Sequence, residues 1–159
     1  MSVSAYADTV TFTLTQPNQS VSYQAGGTLT YDATVSAPAG NGAAVFLNGD
    51  SFNVIAPVTL NDSDFFADFP LSLAPGTSFT GDLFTLTVPP NTAFGVYLGT
   101  FTLLGGANGN AGSTLGTVNF SVTVTPEPSS IISLVIGMAC LSLMFFWGGF
   151  RGTPQRRPR

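Results

Sequence analysis

The chain contains no histidine and no lysine, and a single cysteine, Cys140. Without histidine no Ser-His-Asp set exists, and without lysine there is no amine nucleophile. One cysteine excludes an internal disulfide. Cys140 sits in an apolar run, where a buried, inert thiol is expected. Charge is scarce as well. Charged residues make up 8% of the 159 positions, against roughly 25% in an average soluble protein. The only cations are Arg151, Arg156, Arg157 and Arg159, all at the C-terminal end. The acids Asp8, Asp32, Asp50, Asp62, Asp64, Asp68 and Asp82 leave everything before Pro126 purely negative. Nucleic acid is excluded as a partner, because phosphate binding needs clustered Lys or Arg.

What the chain has instead is a marked C-terminus, PEPSSIISLVIGMACLSLMFFWGGFRGTPQRRPR. From Ile131 to Phe150 there is no charge over twenty positions (150 − 131 + 1). A helix of that length spans roughly 30 Å, the hydrocarbon thickness of a bilayer. Pro126 and Pro128 block helix propagation upstream, and Ser129 or Ser130 can cap the first turn. Glu127 lies near the positive helix end. Trp147 and the adjacent phenylalanines fall at the arginine end, where an aromatic belt is expected. Arginines only after the run place the tail in the cytoplasm and the body outside. The expectation is a single-pass membrane partner with a cytoplasmic C-terminus.

In this order, Pro126-Glu127-Pro128, the apolar helix at 131–150 and the Arg-rich end at 151–159 resemble the PEP-CTERM sorting domain. The resemblance covers about the last fifth of the chain. It implies export in a bacterium that makes exopolysaccharide. It also implies recognition by an exosortase-type membrane transpeptidase, cleavage near Pro-Glu-Pro, and delivery to the cell surface or beyond. Similar C-terminal regions also end proteins known as ice-binding. At the other end, Ala5-Tyr6-Ala7 matches a signal-peptidase site with Asp8 as the first mature residue. Residues 1–7 are therefore expected to be the remnant of a signal peptide whose start lies further upstream.

Residues 8–125 read as one exported all-β domain. Period-two alternation marks half-buried strands. It places Val10, Phe12 and Leu14 against Thr11, Thr13 and Thr15, and Leu29, Tyr31, Ala33 and Val35 against Thr30, Asp32 and Thr34. Phe84, Leu86 and Val88 share one face, as do Tyr97, Phe101 and Leu103, and Val118, Phe120, Val122 and Val124. Turn signals separate the runs at Ala25–Gly27, Pro38–Gly42, Asn48-Gly49-Asp50, Pro75-Gly76, Pro89–Asn91 and Gly105–Gly112. No helical stripe precedes Ser129. The pattern predicts an antiparallel β-sandwich followed by one transmembrane helix. The stretch LAPGTSFTGDLFTLTVPPNTAFGVYLGTFTLLG resembles the second half of immunoglobulin-like modules. That resemblance makes Tyr97 a tyrosine-corner candidate.

For chemistry only carboxylates remain, so no enzyme and no cofactor are expected. Asp62, Asp64 and Asp68 could gather oxygen ligands for Ca²⁺, but an acidic solvated loop is the plainer reading. Phe65, Phe66 and Phe69 beside them are expected to pack inward rather than form a sugar-stacking patch. The leading expectation is a structural, adhesive or matrix-associated surface module, with exopolysaccharide as candidate ligand. A Ca²⁺-assisted carbohydrate-binding module is the alternative. Ice binding through the Thr11-Thr13-Thr15 ladder is a remote one, since a single ladder falls short of a repeated flat array.

Overall fold

The computed structural model describes residues 9–126, 136–140 and 142. The chain divides into two compact units, 1–125 and 126–159. In the first, the described residues form a two-sheet β-sandwich from β1 (Thr11–Leu14), β2 (Asn18–Ser22), β3 (Gly27–Ser36), β4 (Val45–Val54), β5 (Thr59–Asn61), β6 (Ser72–Leu73), β7 (Ser78–Val88), β8 (Gly95–Gly106) and β9 (Ser113–Thr125). One short helix, α1 (Ser63–Asp68), lies between β5 and β6. The sheets run β1-β3-β7-β5 and β2-β9-β8-β4-β6.

Alternation works as the sequence suggests. Tyr31, Ala33 and Val35 of β3 are buried, as are Phe84, Leu86 and Val88 of β7 and Phe120, Val122 and Val124 of β9. Leu83 is buried too. The register slips at Tyr31/Asp32, where Tyr31 faces Phe84 but Asp32 faces Asp82. Leu83 is the residue left over by this bulge, so two successive side chains turn inward. An aromatic stack fills the middle. Tyr31 stacks on Phe84 at 4.9 Å, Phe84 on Phe101 at 5.2 Å, and Phe120 closes on Phe84 at 4.9 Å. The Tyr31 hydroxyl crosses between the sheets and donates to the Ser121 carbonyl at 2.8 Å. Burial pushes its pKa up to about 12, so it stays a neutral donor.

Three expectations need correction. Asn48-Gly49-Asp50 is no turn but lies within β4. Long pairing with β8 overrides the local signal, and the extra residue is absorbed as a register shift between Leu47 and Gly49. The Asn48 amide then donates to the carbonyls of Asn108 and Ala111 at 2.8 and 2.7 Å, pinning the β8–β9 turn. Secondly, a helix does precede Ser129. Phe65 of α1 and Phe69 at its C-cap are spaced four apart and both are buried. One and a half turns are too short to show a stripe in sequence. Thirdly, pairing is not antiparallel throughout, because β2 runs parallel to β9. The N-terminal segment leaves the first sheet after Leu14 and enters the second without reversing. Pro17, which cannot donate to a ladder, sits at the crossing and accepts the Ser121 N–H at 2.8 Å.

In the second unit, residues 136–140 and 142 are helical. The Ser142 hydroxyl donates back to the Met138 carbonyl at 2.9 Å, so its polar group is satisfied within the segment. Cys140, on this helical stretch, is exposed rather than buried. Among the described residues no helix is long and apolar enough to cross a membrane. Most of the 131–150 run lies outside them.

Candidate functional site

Of the sorting residues, Pro126 lies exposed directly after β9. Glu127, Pro128, Trp147, Arg151, Arg156, Arg157 and Arg159 lie outside the described residues.

The acidic loop is rearranged relative to its sequence reading. Asp62 is the N-cap of α1 but makes no side-chain cap bond. Asn61 bonds the Ser63 N–H instead, at 3.0 Å. Asp62 is engaged elsewhere, with Asp50. On β4, Asp50 shares the inward side with its cross-strand partner Leu103, and its Oδ2 is buried without a hydrogen-bond partner. Burial first, then the charge of Asp62 and a hydrogen bond to it, push the Asp50 pKa up to about 6. Such a bond needs one of the two carboxyls to carry a proton. Asp64 falls in the first turn of α1 and Asp68 at its end. Among the described residues no three His, Cys, Asp or Glu side chains converge as a metal-binding group. The three aspartates singled out as Ca²⁺ candidates are not gathered. Phe65 and Phe69 pack inward, whereas Phe66 is 62% exposed, so the expected inward packing holds for two of the three.

The remaining candidates are the two outward sheet faces. On the four-stranded sheet, the Thr11-Thr13 ladder is continued across β3 and β7. Thr13 pairs with Thr34 and Thr34 with Thr80, and these last two hydroxyls bond at 2.7 Å. Thr30 pairs with Thr85, and Thr28 with Thr87 and through it with Thr59. This array is visible only once register is known. It is broken in the middle by Asp32, directly opposite Asp82. Desolvation, then a hydrogen bond to Asp82 and its charge, raise the Asp32 pKa.

The five-stranded sheet presents a different outward face. Asn53 of β4, Thr100 of β8 and Asn119 of β9 form one cross-strand row. Beside this row stand Leu98 and Ile55, 58% and 51% exposed. Between them runs a groove of 470 Å³, its lining completed by Gly99 and Phe120. Gly99 is required where it stands, for a Cβ there would meet the Phe120 ring at 2.2 Å and the Asn53 carbonyl oxygen at 2.9 Å. No lining residue is ionisable. Nothing in the sequence marks this groove, because its lining comes together only through the pairing of β4 with β8 and of β8 with β9.

Tyr97, in β8, donates its hydroxyl to the Ala93 carbonyl at 3.0 Å. This is the bond expected of a tyrosine corner.

No family model matches the chain, and no curated protein matches it. Solved structures do. Native alpha-2-macroglobulin from Escherichia coli, spanning domain MG7 to the C-terminus, is similar at 18% identity and a TM-score of 0.50, over 77% of this chain and 17% of that one. The secreted serine protease VesC from Vibrio cholerae is similar at 13% identity and a TM-score of 0.47, over 80% of this chain and 26% of that one. The VesB protease of Vibrio cholerae gives 13% and 0.43, over 72% and 32%. This chain thus spans no more than a third of any of the three. At such identities the first likeness speaks for the β-sandwich fold alone.

Proposed function

We propose that this chain is an exported, non-enzymatic surface module. Its immunoglobulin-like sandwich is carried to the cell envelope by a PEP-CTERM-like tail and serves a structural or matrix-associated role among exopolysaccharide. The observation that carries the reading is the order of parts around Thr125. The buried core cluster runs from Val21 to Val124, and Pro126-Glu127-Pro128 follows immediately. A tripeptide with two prolines between a folded domain and an apolar run suits recognition by a membrane-embedded transpeptidase. The helical turn at residues 136–140 is in keeping with a helical anchor, as is the clustering of all four arginines beyond Phe150. Support for the immunoglobulin-like reading comes from the Tyr97–Ala93 bond and from an N-terminal segment that pairs into the first sheet as β1 and then into the second as β2.

The test is expression behind a secretory leader, with and without residues 131–159, followed by cell fractionation. The tailed form is expected with the membrane and cell surface, the truncated form in the soluble exported fraction. Equal surface delivery of both would refute a sorting role for the tail.

A further inference from the structure

We propose that the groove on the outward face of the five-stranded sheet is a binding site for a neutral polysaccharide, and that it works without calcium. This deepens the surface-module reading by giving it a ligand class and a site.

The chemistry of the lining selects the ligand. Asn53, Thr100 and Asn119 contribute two amides and a hydroxyl. Each amide offers two donors and an acceptor, a match for the paired donor–acceptor hydroxyls of a sugar ring. The three positions lie on adjacent strands, so successive polar groups are spaced about 4.5–5.5 Å apart. Such a row suits a linear chain rather than a compact ligand. Leu98 and Ile55 form an exposed apolar wall against which the C–H face of a ring can lie. A volume of 470 Å³ falls within the range of about 300–1,000 Å³ typical of small-ligand sites.

Charge decides between ligand classes. The lining holds no carboxylate to pair a cation. No lysine or arginine occurs before Arg151, and the body carries only aspartates. An anionic chain would meet repulsion with no compensating ion pair. A neutral hydroxyl-rich polymer pays neither cost. The four-stranded sheet lacks this combination, since its hydroxyl rows are interrupted by Asp32 and Asp82.

The experiment uses the full chain in detergent micelles, with dextran, laminarin and galactomannan as neutral probes and alginate as the anionic one. Binding is read by affinity electrophoresis and titration calorimetry in the presence of a calcium chelator. At least one neutral probe is expected to bind with Kd of about 1 mM or tighter, and alginate more weakly. The N53A/N119A double variant is expected to weaken that binding at least tenfold with its melting temperature kept. Thr85→Ala, on the other sheet, is expected to leave it unchanged. Three results would overturn the proposal: no neutral probe binding, binding that needs calcium, or binding untouched by N53A/N119A in a folded protein. So would a Leu98-dependent self-association that buries the groove, read by light scattering with Leu98→Ser as control. None of these outcomes bears on delivery by the tail, which the truncation experiment reads separately.

Discussion

Asp50 gives the fold an unusual pH dependence. Its carboxyl sits on the inward side of β4 beside Asp62, with Oδ2 buried and unpartnered. Its pKa stands at about 6 against an ordinary 3.8. A folded-state pKa above the unfolded one means that the native protein holds the proton more tightly. The stabilisation is therefore complete below about pH 3.8 and is lost as pH rises through 6. The full conversion would be roughly 3 kcal/mol, but Asp50 is only partly shielded from water. Screening leaves about 1 kcal/mol, or roughly 3–6 °C in melting temperature for a domain of this size. The exposed Asp32–Asp82 pair acts in the same direction, since the Asp32 pKa is also raised, and adds little. Thermal melts of the full chain in detergent should thus show a higher midpoint at pH 4.5 than at pH 8. Asp50→Asn keeps a donor for Asp62 and removes the charge. It should raise the midpoint at pH 8 by about the same few degrees and flatten the profile between pH 4.5 and 8. A wild-type midpoint that climbs from pH 4.5 to 8, or an Asp50→Asn protein less stable than wild type at pH 8, would refute the argument.

The remaining predictions concern the core and the acidic helix. Tyr31→Phe deletes the bond to the Ser121 carbonyl across the sheets and should cost about 1–2 kcal/mol in denaturant unfolding. An unchanged midpoint would mean that water satisfies that carbonyl. Gly99→Ala forces a methyl group against the Phe120 ring and the Asn53 carbonyl and should cost about 1–3 kcal/mol. Full wild-type stability would show that the Phe120 ring can move aside. Millimolar Ca²⁺ should not shift the melting temperature, because Asp62 is engaged with Asp50 and no three carboxylates converge among the described residues. A rise of several degrees would restore a metal role to that loop.

Much of the sandwich was legible because half-buried strands write their burial into alternate residues. The inward sets on β3, β7, β8 and β9 could be named from sequence, including Tyr31 and Phe120. The Tyr97 bond to backbone was implied by the resemblance of residues 73–105 to immunoglobulin-like modules. Local signals failed where distant pairing decided the outcome. Asn48-Gly49-Asp50 is a good turn, yet β8 offers β4 a long partner, and the ladder wins at the expense of one bulge. α1 and its C-cap carry only two core contacts four residues apart, too few to stand out as a period. The groove was illegible for a deeper reason. Asn53, Thr100 and Asn119 are far apart in sequence and unremarkable one at a time. Their alignment depends on two registers, β4 with β8 and β8 with β9, that no single-strand pattern encodes. The hydroxyl rows of the other sheet were hidden in the same way, with only the Thr11-Thr13-Thr15 edge showing.

The most direct test of the address assigned to this protein is the sidedness of two epitope tags. One is placed in the β8–β9 turn, within residues 107–112, and the other after Arg159, in a chain expressed behind a secretory leader. The account predicts that intact cells with a permeabilised outer layer expose the first tag to antibody. The second should become reachable only when the cytoplasmic membrane is broken. If both tags were found together on the outer side, or both in a soluble cytosolic pool, the 131–150 run would not be holding the chain across the membrane, and the surface role argued from it would fall.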